Sequence, residues 1–143
     1  MNISNTGIDL IKHFEGCETE AYLCPAGVPT IGYGHIKGVQ MGDSITEAQA
    51  HEMLVEELDE YESYINDLVT VSLNQNQFDA MVSWVYNLGN GNLRSSTLLE
   101  ELNKGNFQAA PIEIKRWNKA NGKVLAGLTR RREAEANLFI SDN

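Results

Sequence analysis

Between residues 17 and 45, Pro25, Gly27, Pro29, Gly32, Gly34, Gly38 and Gly42 interrupt short β-branched and aromatic runs. No helix survives that spacing. Proline lacks the backbone donor, and each glycine costs about 1 kcal/mol in a helix interior. The segment reads instead as a small, twisted antiparallel sheet. On both sides of it the apolar residues recur with helical period. Ile8, Ile11 and Phe14 mark a helix over residues 5–15, with Gly16 as its C-terminal cap. Thr46-Glu47-Ala48-Gln49 is a capping box, and Met53, Leu54, Leu58, Tyr61, Ile65 and Leu68 carry the helix it opens to about residue 68. Asn74 with Gln77 starts another, stopped by Gly89. Ser95 or Ser96 caps a third, ended by Gly105. A fourth runs from Asn106 to Trp117, its start delayed or kinked by Pro111. Asn121-Gly122 is a turn, and a last helix covers about 127–140. One helix, a small sheet and then a run of helices make a mostly helical α+β chain, without the alternation of a βαβ fold.

At 143 residues, with 42% hydrophobic and 22% charged side chains, the chain can bury a core without a disulfide or metal staple. No stretch approaches the ~20 apolar residues of a membrane span. The opening MNISNTGIDLI lacks the basic and apolar regions of a signal peptide. The net charge of −9 argues against nucleic acid as the main partner. That charge is uneven. No Lys or Arg lies between Lys37 and Arg94, where Asp43, Glu47, Glu52, Glu56, Glu57, Asp59, Glu60, Glu62 and Asp67 stand, whereas Arg130, Arg131 and Arg132 end a basic C-terminal cluster. The expectation is a solvated acidic helix and a basic C-terminal face; the sharper alternative is that the basic cluster meets an anionic polymer. Cys17 and Cys24 form no CxxC, and the three histidines make no metal-ligand spacing with them, so no metal or cofactor is expected. Whether the two cysteines pair is open.

Glu15 is the residue that draws attention. It closes the first helix, where the negative end of the helix dipole disfavours a charged carboxylate and Ile11 and Phe14 supply an apolar surround. A carboxyl kept neutral in this way suits a general acid. By position alone an ordinary solvated glutamate is the simpler reading.

The surrounding residues decide more. AYLCPAGVPTIGYGH follows at 21–35, and FEG at 14–16, Thr30, and Gly32-Tyr33-Gly34-His35 match a known pattern. So do SWVYNLG at 83–89, STLLEELNKGNF at 96–107 and RWNKANGKVLAGLTRRREAE at 116–135. Over residues 7–139 the chain resembles the phage-type lysozymes, glycoside hydrolase family 24. The resemblance implies a two-lobed lysozyme-like fold. The N-terminal lobe, about 1–45, carries the sheet; a connecting helix spans about 46–68; and a helical lobe covers about 69–143, with the cleft between the lobes. It further implies Glu15 as acid and Thr30 as the residue that holds the attacking water. One arginine of the run, with Arg131 preferred, would pair with the glutamate, and Ile36 and Tyr86 would contact sugar. The family usually has Asp nine residues after its glutamate, but here Cys24 stands there. Glycoside hydrolysis generally uses two carboxyl groups, so the second role falls to Cys24, Thr30 or water alone, and Cys24 is nucleophile, weak base or spacer.

The function implied is that of an endolysin hydrolysing the β-1,4 bond between N-acetylmuramic acid and N-acetylglucosamine in peptidoglycan. Such a protein is monomeric and waits in the host cytoplasm until a holin opens the membrane. Three other readings stand beside it: a lytic transglycosylase or chitin-active relative, a catalytically dead wall-binding module, and a peptidase or amidase in which His35 activates Cys24. For His35 a structural role in the hairpin is the simpler reading, and Trp84 and Trp117 read as core rather than sugar platforms.

Overall fold

The computed structural model describes residues 1–142. In chain order the elements are α1 (Asn5–Glu15), β1 (Glu18–Leu23), β2 (Pro29–Gly32), α2 (Glu47–Leu68), α3 (Gln75–Leu88), α4 (Asn90–Ser95), α5 (Thr97–Asn103), α6 (Ala110–Lys115), β3 (Lys119–Ala120), β4 (Lys123–Val124) and α7 (Ala126–Ile140). Both capping boxes close reciprocally. Thr46 accepts from the Gln49 amide while Gln49 accepts from that of Thr46, and Asn74 and Gln77 do the same for α3. Each such cap is worth about 1 kcal/mol.

The sheet is a bulged antiparallel pair, with Tyr22 opposite Thr30 and Leu23 opposite Pro29. The turn between the strands is closed by the Cys24 amide donating to Val28 O (3.0 Å) and the Gly27 amide donating to Cys24 O (2.8 Å). Isolated bridges join Glu20 to Ser44 and Ile31 to His35, which folds residues 33–45 back onto the strands.

The helices surround α3, whose residues Phe78 to Val85 are all buried. It packs on α1, α2 and α7. Ile8, Ile11, Leu54, Leu58, Ile65, Leu98, Ile114 and Phe139 close the core around it. Trp84 is fully buried with Trp117 edge-on at 5.3 Å, as expected of core residues. The α1–α3 contact is tight at Gly7, where an added Cβ would stand 2.8 Å from Asp79 Cβ.

Several expectations need correction. The helix α4 was not foreseen: its sequence NGNLRS has one buried apolar residue, Leu93, and hence no periodicity to read. The helix expected from Asn106 begins only at Ala110, with Pro111 in its first turn. The acidic stretch is not simply solvated, because Glu62 is buried and its Oε2 accepts from the Ile3 amide at 2.6 Å. The basic C-terminal face is formed by Lys115, Arg116, Lys119, Lys123 and Arg130, which are exposed, whereas Arg131 and Arg132 are buried and do not belong to it. A guanidinium is buried only when paired, and both have partners within the fold.

Candidate active site

Glu15 is the last residue of α1, and Gly16 (φ 69°) turns the chain away after its amide donates to Lys12 O. The carboxylate stands where two cavities meet. One, about 550 Å³, runs past Phe14, Leu128, Arg130 and Arg131. The other, about 250 Å³, runs past Gly34, Ile36, Tyr61 and Tyr86. Glu15 and Asn87 border both. The result is an open cleft with one carboxylate at its throat.

The two oxygens of Glu15 have different surroundings. Oε2 accepts from Arg131 Nη1 at 2.6 Å. Oε1 faces Gly34, so closely that a Cβ there would lie 3.0 Å from it. Gly34 also holds a φ of 83°, in the left-handed region. A side chain at this position would be both strained and in the way.

Arg131 is held on every side. Its Nη2 donates to Ser83 O (3.2 Å), its Nε donates to Glu135 Oε2 (3.3 Å), and its guanidinium lies over the Phe14 ring at 5.8 Å. Glu135, fully buried, also accepts from the Ser83 hydroxyl at 2.6 Å and from Arg132 Nη2 at 3.3 Å. Arg132 Nε lies 2.8 Å from Glu135 Oε1, a contact of charges and not an aligned hydrogen bond. Burial pushes the Glu135 carboxyl up, against the pull of Arg132 and then Arg131, and burial likewise pushes Arg132 down.

The far wall is braced by α2 and α3. His35 Nδ1 lies 2.5 Å from Glu57 Oε1, and its Nε2 lies 3.0 Å from Lys37 O. With both ring nitrogens engaged there, His35 is not a base for Cys24, which removes the geometric ground for the Cys–His peptidase. Tyr86 donates its hydroxyl to Tyr33 O at 2.7 Å, with Glu57 Oε2 a more distant acceptor at 3.3 Å. Burial, then the charges of Glu57 and Glu15, push that phenol strongly up, so it remains a donor. Tyr86 thus ties the 33–36 turn to α3 and leaves Ile36 exposed in the cleft.

Cys24 opens the turn that follows β1 and Thr30 lies on β2, both outside the lining of the two cavities. Thr30 is buried and donates its hydroxyl to Val28 O at 2.9 Å. Hydrogen bonds from the backbone at Val28 and Ala26, and also from the Thr30 side chain, pull the Cys24 thiol below its ordinary value. The Tyr22 phenol is pushed up by burial and by the charges of Glu18, Glu15 and Cys24. Both cysteines are free thiols, and Cys17 is hydrogen-bonded with Tyr33. Among the described residues, no group of three or more His, Cys, Asp or Glu could hold a metal ion.

Sequence reasoning brought out Glu15, Arg131, Tyr86 and Ile36, which the structure gathers at the cleft. It missed Glu57, Glu135, Ser83 and Asn87. Two of these left a trace. Glu57 lies three residues from Leu54 and four from Tyr61, on the stripe that faces the fold. Glu135 follows Arg131 by four and Arg132 by three, within pairing reach on a helix. Ser83 and Asn87 left none.

A carboxyl group where two cavities meet, with Glu57 and Glu60 further along one wall and a guanidinium to stabilise its charge after it gives up a proton, suits the cleavage of a polymeric glycan by acid catalysis. Relatives point the same way. The family model described as phage lysozyme matches residues 12–135. The chain is 48% identical over 99% of its length to an endolysin of Bacillus phage B103, of which it spans 55%. It is 44% identical to an endolysin of Acyrthosiphon pisum secondary endosymbiont phage 1, with 99% of both chains covered. The muramidase domain of SpmX from Asticaccaulis excentricus superposes with a TM-score of 0.93 at 37% identity, covering 99% of each chain. This chain belongs to the phage lysozyme family, and with it to the lysozyme class of glycoside hydrolases.

Proposed function

We propose that the chain is an endolysin that hydrolyses the β-1,4 bond between N-acetylmuramic acid and N-acetylglucosamine in peptidoglycan, with Glu15 as general acid. The observation that carries this reading is the division of labour between its oxygens. Arg131 holds Oε2, which leaves Oε1 at the throat of the cleft to carry the proton. In the reaction Glu15 gives that proton to the leaving glycosidic oxygen as the C1–O bond breaks, and Arg131 stabilises the carboxylate that remains. Water attacks C1 from the opposite face and inverts it. Thr30, whose one hydroxyl proton turns between Val28 O and Cys24, accepts a hydrogen bond from that water. The water's second proton passes to the Cys24 thiolate or to solvent. Ile36 and Tyr86 line the sugar path.

We extend the reading to cellular context. The protein acts on the wall as a monomer and reaches it through a holin-type pore. In support, no helix among the described residues is long and apolar enough to cross a membrane. Expression in a Gram-negative host should lyse cells only when a pore-forming protein is co-expressed.

The decisive test is digestion of purified peptidoglycan by wild type and Glu15→Gln, with products read by mass spectrometry. Wild type should release reducing muramic ends, and Glu15→Gln should lose at least about a hundredfold in rate. Anhydro-muramic ends would show transglycosylation instead, new free amino groups an amidase, and full activity of Glu15→Gln would remove the acid assignment.

A further inference from the structure

Asn87 lies at the C-terminal end of α3, exposed, and borders both cavities that meet at Glu15. Its side-chain amide has a defined orientation. Arg132 Nη2 donates to Asn87 Oδ1 at 2.8 Å. A guanidinium can only donate, so the amide atom facing it must be the oxygen. Arg132 cannot easily give way either, since it is fully buried and its charge is held by Glu135. The buried ion pair therefore takes up the acceptor of Asn87 and leaves Nδ2, with no protein partner among the described residues, as a donor in the cleft.

We infer that Asn87 is a substrate-recognition residue whose Nδ2 donates to the carbonyl oxygen of a sugar N-acetyl group bound beside Glu15, and that Arg132 is the residue positioning it. The inference rests on the proposed glycan substrate. A polymer of N-acetylated sugars offers hydroxyls, ring oxygens and amide carbonyls. A pure donor with its own acceptor blocked selects for an acceptor, and the amide carbonyl is the strongest uncharged acceptor there. A hydroxyl would pair equally well with an amide free to turn over. The pinned amide gains its discrimination from being unable to accept.

The test is equilibrium binding in a Glu15→Gln background, so that cleavage does not intrude. The ligands are peptide-free glycan strands, either N-acetylated or chemically de-N-acetylated. Adding Asn87→Ala should weaken binding to the N-acetylated strands about five- to tenfold and to the de-N-acetylated strands less than about twofold. Asn87→Asp keeps an acceptor for Arg132, removes the donor and adds a charge that Arg132 faces, so it should weaken binding to the N-acetylated strands at least as much as Asn87→Ala does, with no fall in melting temperature. Equal loss on both strands, or no loss on the N-acetylated ones, overturns the inference. So does an Asn87→Asp variant that binds N-acetylated strands like its parent. If the Glu15→Gln parent binds neither strand, the glycan reading itself is what fails.

Discussion

Cys24 stands where the family's second carboxylate usually is, and its surroundings give it some of a carboxylate's character. Hydrogen bonds from Val28, Ala26 and Thr30 favour the thiolate, drawing its titration below the ordinary 9.0. In a Cys17→Ser background, the pH profile of Cys24 alkylation should therefore have its midpoint below that of the urea-unfolded chain. Coincident midpoints would remove the thiolate from the mechanism. Activity then separates the remaining roles. If Cys24 takes the water's proton, Cys24→Asp retains turnover and Cys24→Ala loses about 10²-fold or more. Full activity of Cys24→Ala would reduce the residue to a spacer. Glu15 differs in kind, because nothing local holds it. Its hydrogen-bond partner Arg131 comes from 116 positions away.

At the scale of elements, α1 matters because it carries Glu15, and its start is secured by its neighbours. The side chain of Ser4 makes no cap to its own helix; α3's Asp79, fully buried, accepts from the Ser4 amide at 3.0 Å, from the Ser4 hydroxyl and from Gln75 Nε2 at 2.7 Å. Asp79→Ala leaves those donors without their acceptor and should cost about 2 kcal/mol in urea unfolding, with activity per folded molecule also reduced. Helix α2 secures the same end of the chain through Glu62. Burial pushes this carboxyl up, so the folded protein holds the proton more tightly than the unfolded chain. Its contribution to stability is therefore present below the ordinary carboxyl value of 4.5 and is lost as pH rises through the folded value. Glu62→Gln keeps an acceptor for the Ile3 amide without that titration. Its stability relative to wild type should rise between about pH 4 and about pH 7, as read from urea midpoints, and a constant difference would refute the shift.

Over the whole molecule the charge is −9, and two of the arginines that offset it are buried. A protein of this sign meets a wall whose stem peptides carry carboxylates, so repulsion opposes encounter and salt screens it. The rate of wall digestion should therefore rise as NaCl is raised from about 10 to about 150 mM. On wall whose carboxylates have been chemically amidated the rate should stay flat. A fall with salt on whole wall would mean that a local cationic surface governs encounter despite the net charge.

Much of the architecture was legible because its causes are local. A capping box and an apolar stripe lie within one helix, so α2 and α3 were visible in the residues that form them. The turn at Asn121-Gly122 was equally readable, and in the structure it joins β3 to β4, with both residues at positive φ. Helix α4 was not, since it depends on Leu93 finding the core. The site divides the same way. Glu15 could be picked out by its place at a helix end and by the residues around it. The pairing of Arg131 with Glu15 was readable only through the family resemblance, and the burial of that arginine against Ser83 and Glu135 was not readable at all. Asn87 reads as an ordinary polar residue until Arg132 takes its oxygen. The sequence by itself determined most of the elements, their order and the candidate acid, because propensity, capping and periodicity act over a few residues. Only the tertiary structure decided which way the groups around that acid face. Burying a charge is favourable only against a partner, and here the partners lie up to 116 positions away.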